Sequence, residues 1–421
     1  LGVGTSDPRN TLKQYSQEMR FNSNFDGMVN FMVGGLYEWR RFGFDTAQNG
    51  INISMIAPDP VTGFTFDWDK NQITKTQAYS GFGSIMLELS DQLELSGGIR
   101  YTKETKVSRI YVPYVHAFLA ASPAFLNSGF FSGPINFKDS NWSPEATLKY
   151  QITPDVNVFA SFKTGFKSGG IDNSALPSNS LSQAAASGDF GSLIFKSEKA
   201  VGGEVGLKSQ FADRTITFNA TAYYYKFDDL QVQNFDPIAV QFVTLNAGQV
   251  TTKGLDIGWG WRTPLEGFSL SGNLSLLDAS FTKSFVTAPG VDLKGRDAAQ
   301  APTLSGNIAF DWAIPVSDSL QIGLNGNARY SGRYITAQTS PNDFRQDPYV
   351  TLDGQISVGD PDGRWKVSII GVNLTDKIYV TSAGGRPFLP GANSFGIPVG
   401  DDVILSTNRG RQVFLETSFR F

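Results

Sequence analysis

The stretch Val413-Phe-Leu-Glu-Thr-Ser-Phe-Arg-Phe421 decides how this chain is read. Taken from its end in steps of two, it gives Phe421, Phe419, Thr417, Leu415 and Val413, with Arg420, Ser418, Glu416, Phe414 and Gln412 between them. One face is apolar and ends in aromatics; the other is mostly polar. Such period-two alternation marks a strand with one buried face. In soluble proteins a terminus usually frays into water, whereas this chain stops on an aromatic ring. A transmembrane β-barrel needs such a closing strand, with lipid outside, a polar interior and aromatic girdles at the interfaces. An amphipathic strand of a soluble sandwich is the competing reading.

The whole chain favours the barrel. Its 421 residues include no Cys and one His, which removes disulfide frameworks, thiolate chemistry, the usual zinc clusters and most His-dependent catalysis. No cofactor or metal is called for. No Ser/His/Asp or paired-carboxylate constellation stands out, so the chain is read as a non-enzyme. Only 40% of residues are apolar, yet aromatics reach 13% and glycines number 44, a balance that suits half-polar strands. No run of about 18 apolar residues predicts a transmembrane helix, an absence without force against a barrel. A net charge of −4 with no Lys/Arg cluster argues against a nucleic-acid partner. Leu1-Gly-Val-Gly4 carries no secretory signal.

Dyad alternation recurs along the chain. Ile216, Phe218, Ala220, Ala222 and Tyr224 alternate with Thr217, Asn219 and Thr221. Leu93, Leu95, Gly97, Ile99 and Tyr101 alternate with Glu94, Ser96, Gly98 and Arg100. Stretches of about ten residues suit a tilted strand crossing a bilayer and exceed the usual soluble strand. Short links rich in Asp, Pro and Gly fall at 24–27, 90–92, 153–155, 212–213, 263–267, 315–318 and 360–363. Long links fall at roughly 43–72, 106–140, 168–197, 229–242, 281–301, 332–347 and 379–410. This alternation is the plan of outer-membrane barrels, with short periplasmic turns and long outer loops. The links join about fifteen strands. Bacterial single-chain barrels have even counts, so the expectation is the C-terminal portion of a larger barrel, with an odd number of strands upstream.

Several segments resemble the C-terminal part of TonB-dependent outer-membrane receptors. They are Gln17-Glu-Met-Arg-Phe21 with Val33-Gly-Gly-Leu-Tyr37; Asn157–Gly170, ending Gly-Phe-Lys-Ser-Gly-Gly; Glu204-Val-Gly-Leu-Lys208; Asn246-Ala-Gly248 with Lys253-Gly-Leu-Asp256; and Gly371-Val-Asn-Leu-Thr-Asp-Lys377 with Tyr379. The terminal Phe421 completes the set. Singly these are weak; in order over nearly the whole chain they are strong. The resemblance implies an all-β, antiparallel up-and-down barrel similar to a 22-stranded one, of which residues 1–421 supply about fifteen strands. It also implies a plug domain and TonB box, neither present in this sequence. The implied activity is import of a scarce, bulky nutrient, most commonly a ferric siderophore, by loop capture and energy-coupled plug movement. Implied partners are outer-membrane lipid and lipopolysaccharide, the plug and the TonB energy-coupling complex. A structural barrel that anchors a surface protein is the rival reading.

Candidate residues follow. Arg100, Glu204, Lys208 and Arg329 fall on the polar alternates and are expected to face the lumen or plug; a polar lumen alone would place them there. Phe419 and Phe421 are expected to act in barrel assembly. The segment Arg109–Phe131 is apolar and aromatic, with Tyr111, Tyr114, His116 and Phe118. It reads either as a substrate vestibule or partner-docking surface, or as a loop folded over the barrel mouth. His116 lacks the motif that surrounds haem-ligating histidines in the family. Arg386 and Phe388 lie in the last long loop, where an Arg fork suits an anionic ferric complex or simply faces solvent. The segment Ser168–Phe195, rich in Ser, Ala, Gly and Asn, reads as flexible.

Overall fold

The computed structural model describes residues 5–49, 58–178, 180–236, 241–288, 291–336, 344–385 and 403–420. Its frame is one antiparallel sheet of long strands. The first five are β1 (Thr5–Asn22), β2 (Val29–Asn49), β3 (Trp68–Ser90), β4 (Leu93–Val115) and β5 (Ile135–Thr153). The middle five are β6 (Val156–Lys167), β7 (Glu198–Phe211), β8 (Ile216–Asp236), β9 (Gln241–Arg262) and β10 (Phe268–Phe281). The last five are β11 (Leu304–Ser317), β12 (Leu320–Ser331), β13 (Tyr349–Gly359), β14 (Trp365–Val372) and β15 (Gln412–Phe419). All fifteen pair in chain order as an up-and-down meander; among the described residues β1 and β15 do not pair with each other. The expected strand count and order hold.

Residues directly opposite in an antiparallel pair share a face. One such row runs Leu87, Leu95, Leu148, Ala160, Val205, Ala222, Leu255, Leu276 and Leu304, crossing from β3 to β11 without a polar member. These side chains point away from the polar face. Ile356 is 62% exposed and Leu415 72%, a burden no water-facing sheet would carry over so many strands. Lipid removes that cost.

Aromatics bound the apolar band. At its outer edge Tyr37 lies 5.1 Å from Tyr79, and Tyr101 lies 4.7 Å from Trp142. One step further out the same face turns polar: Lys253 pairs with Asp278 at 3.1 Å. At the inner edge Phe268 meets Trp312 at 5.7 Å, and Phe419 stands opposite Trp365. The other face carries paired charges, Lys149 with Glu94 at 3.6 Å and Lys163 with Glu204 at 3.4 Å. Exposed pairs of this kind contribute little stability; they show which face lies away from lipid.

Three expected long links are shorter than the sequence suggested. The expected link 229–242 is largely paired strand, because β8 reaches Asp236 and β9 begins at Gln241. Parts of 43–72 and 106–140 likewise extend β2, β3, β4 and β5. Beyond the membrane, side-chain alternation weakens, but backbone N–H and C=O groups still require partners, so the hairpins keep zipping.

Ile257 faces Ala220 and Leu274 within the apolar band. Ile257→Arg is expected to cost about 2–4 kcal/mol in denaturant titrations from lipid vesicles. Ser275→Arg, on the polar face beside Asp256, is expected to stay within about 0.5 kcal/mol.

Candidate functional site: a capped outer mouth

At the long-loop ends of β3, β4 and β5 the polar face changes character. Glu94, Arg100 and Glu145 give way to buried Ile110, Val112, Ile135 and Phe137. The segment between β6 and β7 covers them. It is folded: Gly170–Ile171 pairs with Ile194–Phe195, a helix spans Ser180–Ser187, and a 3-10 turn spans Gly191–Leu193. Ile171, Ala175, Leu181 and Leu193 share one apolar core with Trp68, Ile110, Val112, Val115, Leu126, Ile135 and Phe137. The flexible loop expected at Ser168–Phe195 is therefore a small packed cap. Composition misled because small residues were filling a tight core, with Leu181 fully buried.

Polar side chains fasten the cap. Lys70, 1% exposed, donates from Nζ to the carbonyls of Asn173 at 2.7 Å and Ala175 at 2.6 Å. It sits well outward of Tyr79, beyond the lipid band; burial pushes its ammonium pKa down to about 7, with Asp172 acting in the opposite direction. Gln72 donates to the Asp172 carbonyl at 3.0 Å. The Asp172 carboxylate accepts from the backbone N–H of Ser174 at 2.8 Å and of Thr244 at 2.7 Å, which ties the cap to β9. At its root Gln231 donates to the carbonyls of Ser168 and Lys196, and Asn246 donates to Lys196 at 2.9 Å. Gly169 has no room for a side chain: a Cβ there would lie 2.3 Å from the Phe195 carbonyl oxygen.

Asp59 is a second fastening point. Its carboxylate accepts from the N–H groups of Val61 at 2.8 Å, Thr62 at 2.9 Å and Ala117 at 2.7 Å, and from the Tyr114 hydroxyl at 3.2 Å. The Thr62 N–H, then those of Ala117 and Val61, hold this carboxyl well below the usual aspartate range, against the opposing effect of burial.

The expected site residues separate. Tyr114 is buried on Asp59. His116 is 2% exposed, and its Nδ1 accepts the Phe118 N–H to cap the turn Ala117–Ala120. Tyr111 and Phe118 are exposed. Most of the apolar 109–131 segment is thus consumed by the cap core, the folded-over arrangement of the alternatives raised by its sequence. Arg386 and Phe388 lie outside the described residues. On the polar face, Arg100 stacks 4.9 Å from the Phe82 ring and Lys208 lies 5.6 Å from Phe159. Glu204 accepts from the Tyr225 hydroxyl at 2.6 Å, and Arg329 lies 3.9 Å from Asp353. Phe419 faces outward, 66% exposed; Phe421 lies outside the described residues. Among the described residues no cluster of His, Asp and Glu is placed to hold a metal. Sequence reasoning missed Asp59, Lys70, Gln72 and Asp172, because single polar residues at strand ends carry no spacing signal.

An apolar belt between aromatic girdles, a polar inner face and a fastened cap at the long-loop end define the wall of a transmembrane β-barrel. Residues 2–374 match the TonB dependent receptor-like β-barrel family, and the chain belongs to it. It is similar to the rhizobactin receptor of Rhizobium meliloti (strain 1021), 25% identical over 335 residues, covering 73% of this chain and 39% of that protein. Among solved structures it resembles the ferric yersiniabactin uptake receptor FyuA from Yersinia pestis, with a TM-score of 0.74, 17% identity, and 99% of this chain against 55% of that one. It also resembles the copper transporter OprC, with a TM-score of 0.62, 10% identity, and 98% of this chain against 57% of that one. The chain therefore spans well under two thirds of each relative's length. The family is one of transport receptors, not enzymes.

Three outcomes test the fastening. Lys70→Met leaves the Asn173 and Ala175 carbonyls unpaired, a loss of about 1–3 kcal/mol for each group orphaned, and is expected to speed hydrogen exchange across 171–195 before it affects the strands. For Asp59 the folded-state pKa is depressed, so its contribution is present above the ordinary aspartate value and lost as pH falls through the folded value. Protection of the 58–67 and 116–120 segments against proteolysis is expected to persist down to about pH 4 and to weaken progressively as pH falls further toward the folded value. Asp59→Asn is expected to remove that protection at neutral pH.

Proposed function

We propose that this chain forms the barrel wall and outer mouth of a receptor that imports a ferric siderophore-type complex by loop capture and energy-coupled movement of a plug. The observation that carries this reading is the family match over residues 2–374. The cargo class is supported by the similarity to a rhizobactin receptor and a ferric yersiniabactin uptake receptor. The copper transporter among the neighbours shows that this fold does not select its cargo. Residues 1–421 would supply the C-terminal part of a 22-stranded barrel, with a plug domain and a TonB-engaging segment encoded elsewhere in the protein. The capped mouth would face outward and the short turns the periplasm. Cargo would meet the mouth and the inner face, where Arg100, Glu204, Lys208 and Arg329 present both signs of charge.

The test is uptake of iron-55 complexes by cells that carry or lack the protein, using hydroxamate, catecholate and citrate chelators with a copper control. Uptake of one ferric class that requires the protein and stops with a protonophore is the expected result. Failure with every ferric complex, or uptake that persists with the protonophore, would sink the proposal, the latter in favour of a passive pore.

A further inference from the structure

The apolar outer face is not uniformly filled. A groove of about 870 Å³ opens on it from Leu95 on β4 and Ala146–Leu148 on β5 across β6, β7 and β8, and narrows to a slot over the last three. Register explains the gap. Gly203 on β7 stands directly between Phe162 on β6 and Tyr224 on β8, and Val205 stands between Ala160 and Ala222. Two rings thus form walls with no side chain between them, over a floor of small residues. Flanking strands are about 9.6 Å apart across one intervening strand, room for a single hydrocarbon chain between the rings. Backbone keeps the slot open, because a Cβ on Gly203 would lie 2.6 Å from the Ser161 carbonyl oxygen.

The outer end of the slot is cationic. Lys226 stands opposite Val201, with its Nζ 5.7 Å from the Tyr224 ring. Lys199 lies on the same face, two residues further out. Opposite Lys199 is Asp228, whose carboxylate is already engaged by Gln249 at 2.8 Å and Lys283 at 3.2 Å. Among the described residues neither Lys199 nor Lys226 is in an ion pair. An apolar channel that ends where three lysines, Lys199, Lys226 and Lys283, gather around the single carboxylate of Asp228, so that ammonium groups outnumber it, matches one chemistry: an acyl chain joined to a phosphate.

We infer that this slot binds one phosphorylated membrane lipid, its acyl chain between Phe162 and Tyr224 and its phosphate against Lys226 and Lys199. A protein helix would not fit between walls this close, and the slot offers no polar groups to orient one.

The test uses the protein purified from outer membranes, delipidated and placed in nanodiscs with a trace of lipid that carries a photoreactive acyl chain. Phosphatidylglycerol and phosphatidylcholine with identical chains are compared, and crosslinks are mapped by mass spectrometry. With phosphatidylglycerol, crosslinks are expected to concentrate in 158–164, 201–205 and 220–226, and the preference over phosphatidylcholine to fall roughly fivefold for each lysine replaced in Lys199→Gln and Lys226→Gln. Both lysines are at the water-facing rim, so these variants preserve the barrel. Ala222→Phe is expected to shift crosslinks out of the slot without changing the heat-modifiable mobility of the barrel. Crosslinks spread evenly around the apolar band, or an equal yield with both lipids that the lysine variants leave unchanged, would overturn the inference.

Discussion

Backbone hydrogen bonding in a medium without water is the constraint on which this structure depends. An unpaired N–H or C=O at membrane depth costs several kcal/mol, so spanning segments must pair completely. Strands can do this only with neighbours, and the shortest route is to pair each with the next in the chain. The meander from β1 to β15 follows. Once pairing is fixed, side chains are free to alternate, and the solvent on each face selects them. Leucine, valine and alanine meet lipid in unbroken rows, while charges collect on the other face.

The same constraint explains why strands continue beyond the membrane. β3 and β4 are each far longer than a bilayer crossing requires. Above the girdle their inner face is no longer bound to be polar, since it need not line an aqueous lumen at that height. It becomes apolar and gathers the segment between β6 and β7 as a cap. Among the described residues the conventional hydrophobic core thus lies at the long-loop ends of the strands, where water is again the solvent and apolar burial is again favourable.

Most of the segments that carry the family resemblance are joints. Gly169 and Asn246 hold the root of the cap. Asn373 adopts a left-handed backbone with φ of 51° and donates from Nδ2 to the carbonyls of Lys377 at 3.0 Å and Arg409 at 3.1 Å. Asp376 accepts the Arg411 N–H at 2.8 Å, and Tyr379 stacks on Tyr349 at 4.1 Å. Sites where strands stop and loops begin need particular backbone angles and particular acceptors, so they demand particular residues.

The sequence by itself determined the strand class, the count of fifteen, the sign of each face and the family. The first three follow from a period of two, from turn residues at the short links and from lipid's intolerance of charge; the family was legible in short segments such as Glu204–Lys208 and Gly371–Lys377, and all of these are local along the chain. The fate of the outer segments was decided only by tertiary structure. Nothing local to Ser168–Phe195 shows that Leu181 fills a core, that Lys70 lies about a hundred residues away from the carbonyls it holds, or that Tyr114 turns inward onto Asp59 while Tyr111 stays exposed. The slot beside Gly203 was hidden for the same reason: it exists because Phe162, Gly203 and Tyr224 fall into register across three strands. Register is fixed by pairing, and pairing between distant segments is a property of the fold.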